Sequence, residues 1–353
     1  MRKLLFAAIG LLLCLGAGAQ ERRIWPVEDW QKANPEKYGF SSDKLENVLR
    51  PFIINKTKGT GVLIIAGGER IFAQGALDRL SYIASCRKSI LSMMYGKYVE
   101  DGTIDLSLTM EQLGIDDIGG LLPIEKQATI LDLITARSGV YHPASNAGDN
   151  ANKPERGTKK PGEYFIYNNW DFNVAGAVFE QLTGKNIYDA FWEDIGSRIG
   201  MQDWNREVHV KGGDLTISQY PSYHFHFSTR DMARLGYLML RDGLWGEDNP
   251  IISKSWHDRI ISEASTWEEV NTSNNKEGRY SYGYMWWLFD DKCKLNSPLL
   301  HGAYTAWGAM GQYITVIPAL DMVIAFKTDR IYGRKTRPEQ YLEFLDVLLS
   351  CRL

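Results

Sequence analysis

The stretch Ser85-Cys86-Arg87-Lys88, continued by Ser89-Ile90-Leu91-Ser92-Met93-Met94-Tyr95, decides how this chain is read. It sets a hydroxyl three positions before an amine, where a long and largely apolar helix begins. Residues at i and i+3 share a helical face, so the Lys88 amine can lie beside the Ser85 oxygen. A serine hydroxyl becomes a nucleophile when a neighbouring base takes its proton. An amine kept out of water has a lowered pKa that suits it to that work. Ser-x-x-Lys also occurs at Ser41-Ser42-Asp43-Lys44 and at Ser273-Asn274-Asn275-Lys276, so context must separate the three. Ser41 opens an amphipathic helix carrying Leu45, Val48 and Leu49, which is the place of an N-cap. Ser273 falls in a polar loop. Ser85 heads a segment whose apolar residues run round much of the helix, which marks burial on several sides and a rigid seat for a reactive side chain.

Upstream, Gly61-Val62-Leu63-Ile64-Ile65-Ala66 is an apolar run of strand length. A Gly67-Gly68 turn and a returning strand over 70–74 make it a hairpin. From Asp101 to about Gly246 the pattern is mainly helical, with helices expected over 130–136, 170–182, 187–195 and 230–241. Residues 141–163 are polar and rich in Asn, Gly and Pro, which predicts a long loop of the kind that is often functional. Strands return at 282–289, 312–317 and 322–327, and 339–349 predicts a closing helix. Strands at both ends around a helical middle predict one sheet built from the two termini, with a helical subdomain inserted at about 101–246. A cleft between the two parts is a natural ligand site.

The bulk properties narrow the function. The chain has 353 residues, 44% hydrophobic and 24% charged, with a net charge of −3. That describes a globular protein with ample core and gives no reason to expect nucleic acid or a polybasic membrane patch as partner. Arg2 and Lys3, an apolar stretch from Leu4 to Leu15, and Gly16-Ala17-Gly18-Ala19-Gln20 read as a secretory leader over residues 1–19, cut after Ala19. The competing reading, an uncleaved anchor, meets a run short of the roughly 20 residues a membrane span needs. The expectation is an exported, periplasmic or secreted protein without stable membrane insertion: a lead-in over 20–40 and one domain over 41–353. Cys86, Cys293 and Cys351 then remain, with Cys86 read as a small buried helix residue and a Cys293–Cys351 disulfide left open.

A second motif, Phe165-Ile166-Tyr167-Asn168-Asn169, contains the chain's single Tyr-x-Asn. In an extended segment Tyr167 and Asn169 point the same way. A phenol titrates at roughly 10, and a nearby lysine cation lowers that value, so Tyr167 can pass protons to and from a serine. Asn169 offers a donor and an acceptor for a substrate amide. A plain Tyr-Asn turn after Pro161-Gly162 is the alternative.

Taken together, the motifs resemble the β-lactamase and penicillin-recognising serine hydrolases. The likeness is strongest to the class C-related branch, which includes esterases, D-amino-acid peptidases and 6-aminohexanoate-dimer hydrolases. The matching stretches are Tyr82-Ile83-Ala84-Ser85-Cys86-Arg87-Lys88-Ser89, Asp101-Gly102-Thr103-Ile104-Asp105-Leu106, Ser138-Gly139-Val140 and Pro161-Gly162-Glu163-Tyr164-Phe165-Ile166-Tyr167-Asn168-Asn169. Tyr282-Gly283-Tyr284-Met285-Trp286-Trp287 and Gly311-Gln312-Tyr313-Ile314-Thr315-Val316-Ile317-Pro318 complete the series. The resemblance spans roughly Gly39 to Leu349. It implies an α+β fold of the β-lactamase/transpeptidase type, with an antiparallel sheet flanked by helices. It also implies that Ser85 is the acylated nucleophile, Lys88 a general base, Tyr167 the proton shuttle and Asn169 a contact to the substrate amide.

The departure lies in a third motif. The family usually places Lys-Thr-Gly or His-x-Gly on a cleft-lining strand, and neither occurs here. Counting back from Gly311 puts Trp307-Gly308-Ala309 at or near that place, with His301-Gly302-Ala303 a poorer candidate. Gly308 and Ala309 are small enough for a substrate to approach the strand, and an N–H near Ala309 or Met310 can join that of Ser85 in an oxyanion hole. Trp307 cannot replace a cation that binds a penicillin or D-alanyl carboxylate. The expectation is therefore a serine hydrolase of small esters, amides or short peptides. A β-lactamase or D-alanyl peptidase, and a non-catalytic ligand-binding or sensor protein on the same fold, are the alternatives. No cofactor is implied. His224-Phe225-His226 has the spacing of two metal ligands on a strand but lacks a third, so no metal is expected. Gly-x-Ser-x-Gly and His-Glu-x-x-His do not occur. Oligomeric state is not legible.

Overall fold

All six residues of Gly61–Ala66 (β1) are buried, as an apolar run demands when a sheet is covered on both faces. The computed structural model describes residues 23–146, 148, 152–270, 280–289 and 297–353; the expected leader, Ser273 and Cys293 lie outside them. The other strands are β2 (Glu69–Gly75), β3 (Ser81–Tyr82), β4 (Val210–Gly212), β5 (Ser222–His224), β6 (His226–Phe227), β7 (Ser281–Tyr282), β8 (Trp287–Phe289), β9 (Ala303–Gly308), β10 (Gln312–Ile317) and β11 (Met322–Lys327). The helices are α1 (Ser42–Lys44), α2 (Arg50–Phe52), α3 (Cys86–Glu100), α4 (Ile130–Ile134), α5 (Asn169–Thr183), α6 (Ile187–Phe191), α7 (Thr229–Leu240), α8 (Lys254–Ile260) and α9 (Pro338–Ser350). π-helical turns at Leu45–Leu49 and Ile53–Thr57 join and extend α1 and α2.

Seven strands form one sheet in the order β2-β1-β11-β10-β9-β8-β7, with every neighbour antiparallel. It is built from both ends of the chain, as expected. Strand side chains alternate between faces, and the two faces carry different helices. On one, α7 packs so closely that a Cβ at Gly236 would lie 2.5 Å from Val323 and 2.9 Å from Ile314. On the other, Tyr341 of α9 stacks on Tyr313 of β10, with ring centroids 3.5 Å apart. α7, grouped in sequence with the helical middle, thus lies on the sheet.

Three local readings change. Residues 282–289 are not one strand but the hairpin β7–β8, because Met285 turns the chain at φ +63°. β9 was expected only through the cleft-lining strand that the resemblance places near Trp307-Gly308-Ala309, and α8 had no counterpart in the sequence reading. Helix 187–195 is α6 continued by a π-turn over Trp192–Gly196. The Ser41 side chain accepts from the Lys44 N–H as an N-cap, as its position predicted. Cys351 is a free, buried thiol. Among the described residues no helix is long and apolar enough to cross a membrane.

Candidate active site

The serine turn is built by strain and close approach. β3 runs into Ile83-Ala84, and Ala84 adopts φ +49°, a left-handed conformation that costs a residue with a Cβ about 1 kcal/mol or more. That bend starts α3 directly: the Cys86 N–H donates to Ile83 O (3.3 Å), Arg87 to Ala84 O (3.3 Å) and Lys88 to Ser85 O (3.0 Å). Ser85 is left half-buried between buried Ala84 and Cys86, at the positive end of a fifteen-residue helix. Among the described residues its own N–H has no acceptor.

One turn further, Lys88 is 1% exposed. Its Nζ donates to Asn169 Oδ1 at 2.6 Å and lies 3.9 Å from the centre of the Tyr167 ring and 4.2 Å from that of Phe172. Burial holds this amine well below its ordinary pKa, the neighbouring Arg87 charge pushes the same way, and Asp171 opposes them. Asp171 opposes weakly, since burial lifts its carboxyl well above the carboxylate range despite the Ser138 hydroxyl at 2.8 Å.

Tyr167 is partly buried against Phe172 (4.9 Å between centroids), Trp287 (5.3 Å) and Tyr282 (6.1 Å). Burial raises its phenol, outweighing a hydrogen bond with Ser85 and the Arg87 charge, both of which act downward. The expectation that a lysine cation lowers the phenol is therefore reversed. Burial of the phenol outweighs the neighbouring charge that acts downward.

Asn169 does not lie in an extended segment beside Tyr167; it is the first residue of α5, capped by Asn168. Its Oδ1 accepts from Lys88, and it is 6% exposed. One turn along α5, Asn173 Oδ1 accepts from Arg87 Nη2 at 2.9 Å, while its Nδ2 donates to Asn146 Oδ1 at 2.8 Å. Helix α5 therefore grips Arg87 and Lys88 of α3 and the start of the 141–163 loop.

The third-motif residues lie beside the serine turn. A Cβ at Gly308 would come within 2.4 Å of Ile83 O and 3.2 Å of Ala84 Cβ. Its smallness is thus used by the chain's own nucleophile turn. Ala309 is exposed in the β9–β10 turn, where Met310 has φ +70°. Trp307 is half-buried in a ring cluster with Tyr280 (5.8 Å), Trp287 (5.0 Å) and Tyr313 (6.2 Å). Trp287 joins that cluster to Tyr167. β9 itself reads Ala-Tyr-Thr-Ala-Trp-Gly, without a cation.

Sequence reasoning missed Arg87, Phe172 and Trp287. The signal for Arg87 was present, a second cation on an otherwise apolar helix. Phe172 and Trp287 looked like core, and only the fold brings them to Lys88 and Tyr167. His224 and His226 flank the Tyr82 ring, at 4.8 and 5.6 Å.

The sequence model of the Beta-lactamase family matches residues 45–346. No curated protein matches the chain. Among solved structures, it is similar to a Bacillus anthracis protein named as a 6-aminohexanoate-dimer hydrolase, with a TM-score of 0.66 and 18% identity over 92% of this chain and 87% of that one. A class C beta-lactamase mutant gives 0.63 and 15% identity, covering 91% of this chain and 99% of its own. A family VIII carboxylesterase gives 0.61 and 15%, covering 89% and 99%. At these identities the likeness establishes the fold: the β-lactamase/transpeptidase type, with its large antiparallel sheet and flanking helices.

Proposed function

We propose, because the chain belongs to the beta-lactamase family, that it is a serine hydrolase that cleaves uncharged esters or amides of small molecules through an acyl-enzyme on Ser85. One observation carries this reading: a buried Lys88, fixed by Asn169 and resting on the Tyr167 ring, one helical turn from a half-buried serine hydroxyl. In the first half-reaction Ser85 Oγ bonds to the substrate carbonyl carbon and its proton passes to Lys88. The carbonyl oxygen, now negative, faces the free Ser85 N–H at the helix terminus. The bond to the leaving alcohol or amine then breaks, and the departing atom takes the Tyr167 proton, which Lys88 restores. Water reverses the sequence on the acyl-enzyme and frees the acid. A raised phenol pKa suits a group that donates a proton and does not rest as an anion.

The substrate class follows from β9. A strand without a cation, walled by Trp307, Trp287 and Tyr280, favours an apolar or uncharged acyl group over a carboxylate. With the leader reading of residues 1–19, the enzyme works after export.

A fluorophosphonate probe and p-nitrophenyl esters test the proposal. Wild-type protein is expected to be labelled and to turn over the esters, and Ser85→Ala to do neither. Labelling that survives in Ser85→Ala removes Ser85 from the chemistry. A wild type that is inert to both supports the binding-protein alternative. Fast, saturable nitrocefin hydrolysis would overturn the substrate class while leaving the nucleophile standing.

A further inference from the structure

A cavity of about 540 Å³ opens where the starts of β1 and α7 meet the end of β11. Its charges do not balance. Arg79, Lys327 and Arg334 line it, against one carboxylate among the described lining residues, Asp329. Asp329 is already paired with Arg79 at 3.1 Å. Lys327 is 2% exposed and donates to two main-chain carbonyls, those of Arg79 (3.0 Å) and Phe227. An ammonium carries three N–H bonds, so one remains. The Arg334 side chain is exposed, with no ion-pair partner among the described residues.

Two further features lie at this cavity. Thr229, fully buried, has a hydroxyl without any hydrogen-bond partner, and it lines the same cavity. It is also the first residue of α7, a twelve-residue helix whose positive end faces this space. A buried hydroxyl left unpaired costs about 1–3 kcal/mol, and a buried cation is costly unless hydrogen bonds and opposite charge meet it fully. One kind of ligand relieves both.

We infer that this cavity is a binding site for a phosphate- or sulfate-type dianion, held by Lys327 and Arg334 with the Thr229 hydroxyl and the α7 terminus. A dianion matches the two cations that Asp329 leaves unpaired. The volume far exceeds that of a bare ion, so the dianion can be the head group of a larger molecule. Burial pulls the Lys327 amine down to about 7, with Asp329 acting the other way. A bound dianion favours the ammonium and so restores its charge. The site does not depend on the hydrolase reading, since none of its side chains belongs to the Ser85 constellation.

Calorimetric titration of the full chain with inorganic sulfate, at ionic strength held constant with chloride, tests it. The wild type and Ser85→Ala are expected to bind sulfate saturably and equally. Arg334→Gln should weaken binding by about tenfold or more, as loss of a charge-assisted contact does, and Lys327→Met should abolish it. Lys335→Gln, next in sequence but outside the cavity, should bind as the wild type does. Phenyl phosphate binding more tightly than sulfate assigns the remaining volume to an organic group; equal affinities assign the site to the free ion. Absence of saturable binding in the wild type, or binding unchanged in Arg334→Gln, overturns the inference. Arg334 is exposed, so that variant tests the site even if Lys327→Met fails to fold.

Discussion

Lys88 and Lys327 are both buried amines whose pKa burial pulls down, yet their neighbours give them opposite characters. Lys88 meets a single acceptor, Asn169 Oδ1, and otherwise rests on the faces of Tyr167 and Phe172. An uncharged amine there keeps a donor for Asn169 and a lone pair for the Ser85 proton. Lys327 is tied by two main-chain carbonyls, which want donors and reward the ammonium. Nearby charge sharpens the contrast. Arg87 stands beside Lys88 without a carboxylate partner among the described residues, whereas Asp329 faces Lys327 and pulls its proton affinity back up. Depth of burial alone therefore does not separate a base from an anchor; the number of acceptors and the sign of the nearest fixed charge do.

Removing the first amine tests that contrast most severely. Lys88→Met keeps the length of the side chain and loses the base, so kcat/KM for a p-nitrophenyl ester should fall by about 10³-fold or more, while sulfate affinity at the Lys327 cavity stays at the wild-type value. A parallel fall in sulfate affinity would show that the two lysines are coupled, and the contrast would fail. The next effect is smaller. Tyr167→Phe preserves the ring beneath Lys88 but removes the proton donor, and about a 10²-fold loss in kcat is expected for an ester with a poor leaving group. A p-nitrophenolate leaving group needs little protonation and should lose less. Equal losses on both esters would make Tyr167 a packing residue.

The fold was legible where burial writes itself into composition. β1, β10, β11 and α9 are apolar runs or clear amphipathic repeats, and each appears where expected. β9 escaped the pattern reading because Ala303-Tyr304-Thr305-Ala306-Trp307-Gly308 lacks the alternation of a half-buried strand; it is inserted between β8 and β10 and covered on both faces. The short α8 carried one usable sign, the Ser253 side chain that accepts from the Trp256 N–H. In the site, helical spacing was enough to set Lys88 beside Ser85, while Tyr167 was brought to them by the family resemblance. Two contacts were hidden from the sequence, which shows residue types and not their neighbours: Lys88 bonds the Asn169 oxygen, and Ile83 O lies over Gly308. The direction of the Tyr167 shift was lost for a related reason, since it depends on burial, which outweighs the neighbouring charge.

The smallest expected effect bears most directly on how Lys88 is kept free of its proton. Arg87 is 1% exposed, bonded to Asn173 and set over the Tyr223 ring at 4.2 Å, with its Nη1 unpartnered. Around Lys88 stand Ser85 and Arg87 from α3, Tyr167 from the segment ahead of α5, and Asn169, Asp171 and Phe172 from α5. Burial raises both the Tyr167 phenol and the Asp171 carboxyl, so Arg87 is the fixed charge among them. If unprotonated Lys88 is the active form, kcat/KM falls as pH drops through its pKa. A cation nearby lowers that pKa, so removing it must move the acidic limb to higher pH. Arg87→Met is expected to shift the limb upward by about one unit, the size of a charge interaction at side-chain distance in a medium of intermediate dielectric. Arg87→Lys keeps the charge and should hold the limb in place, even if the lost Asn173 contact lowers kcat. Asp171→Asn should move it less than Arg87→Met does and in the opposite direction, since Asp171 raises the Lys88 pKa and ranks below Arg87 among its causes. A pH profile for Arg87→Met that falls in height without sliding would reduce Arg87 to a brace between α3 and α5, and burial alone would then keep Lys88 basic.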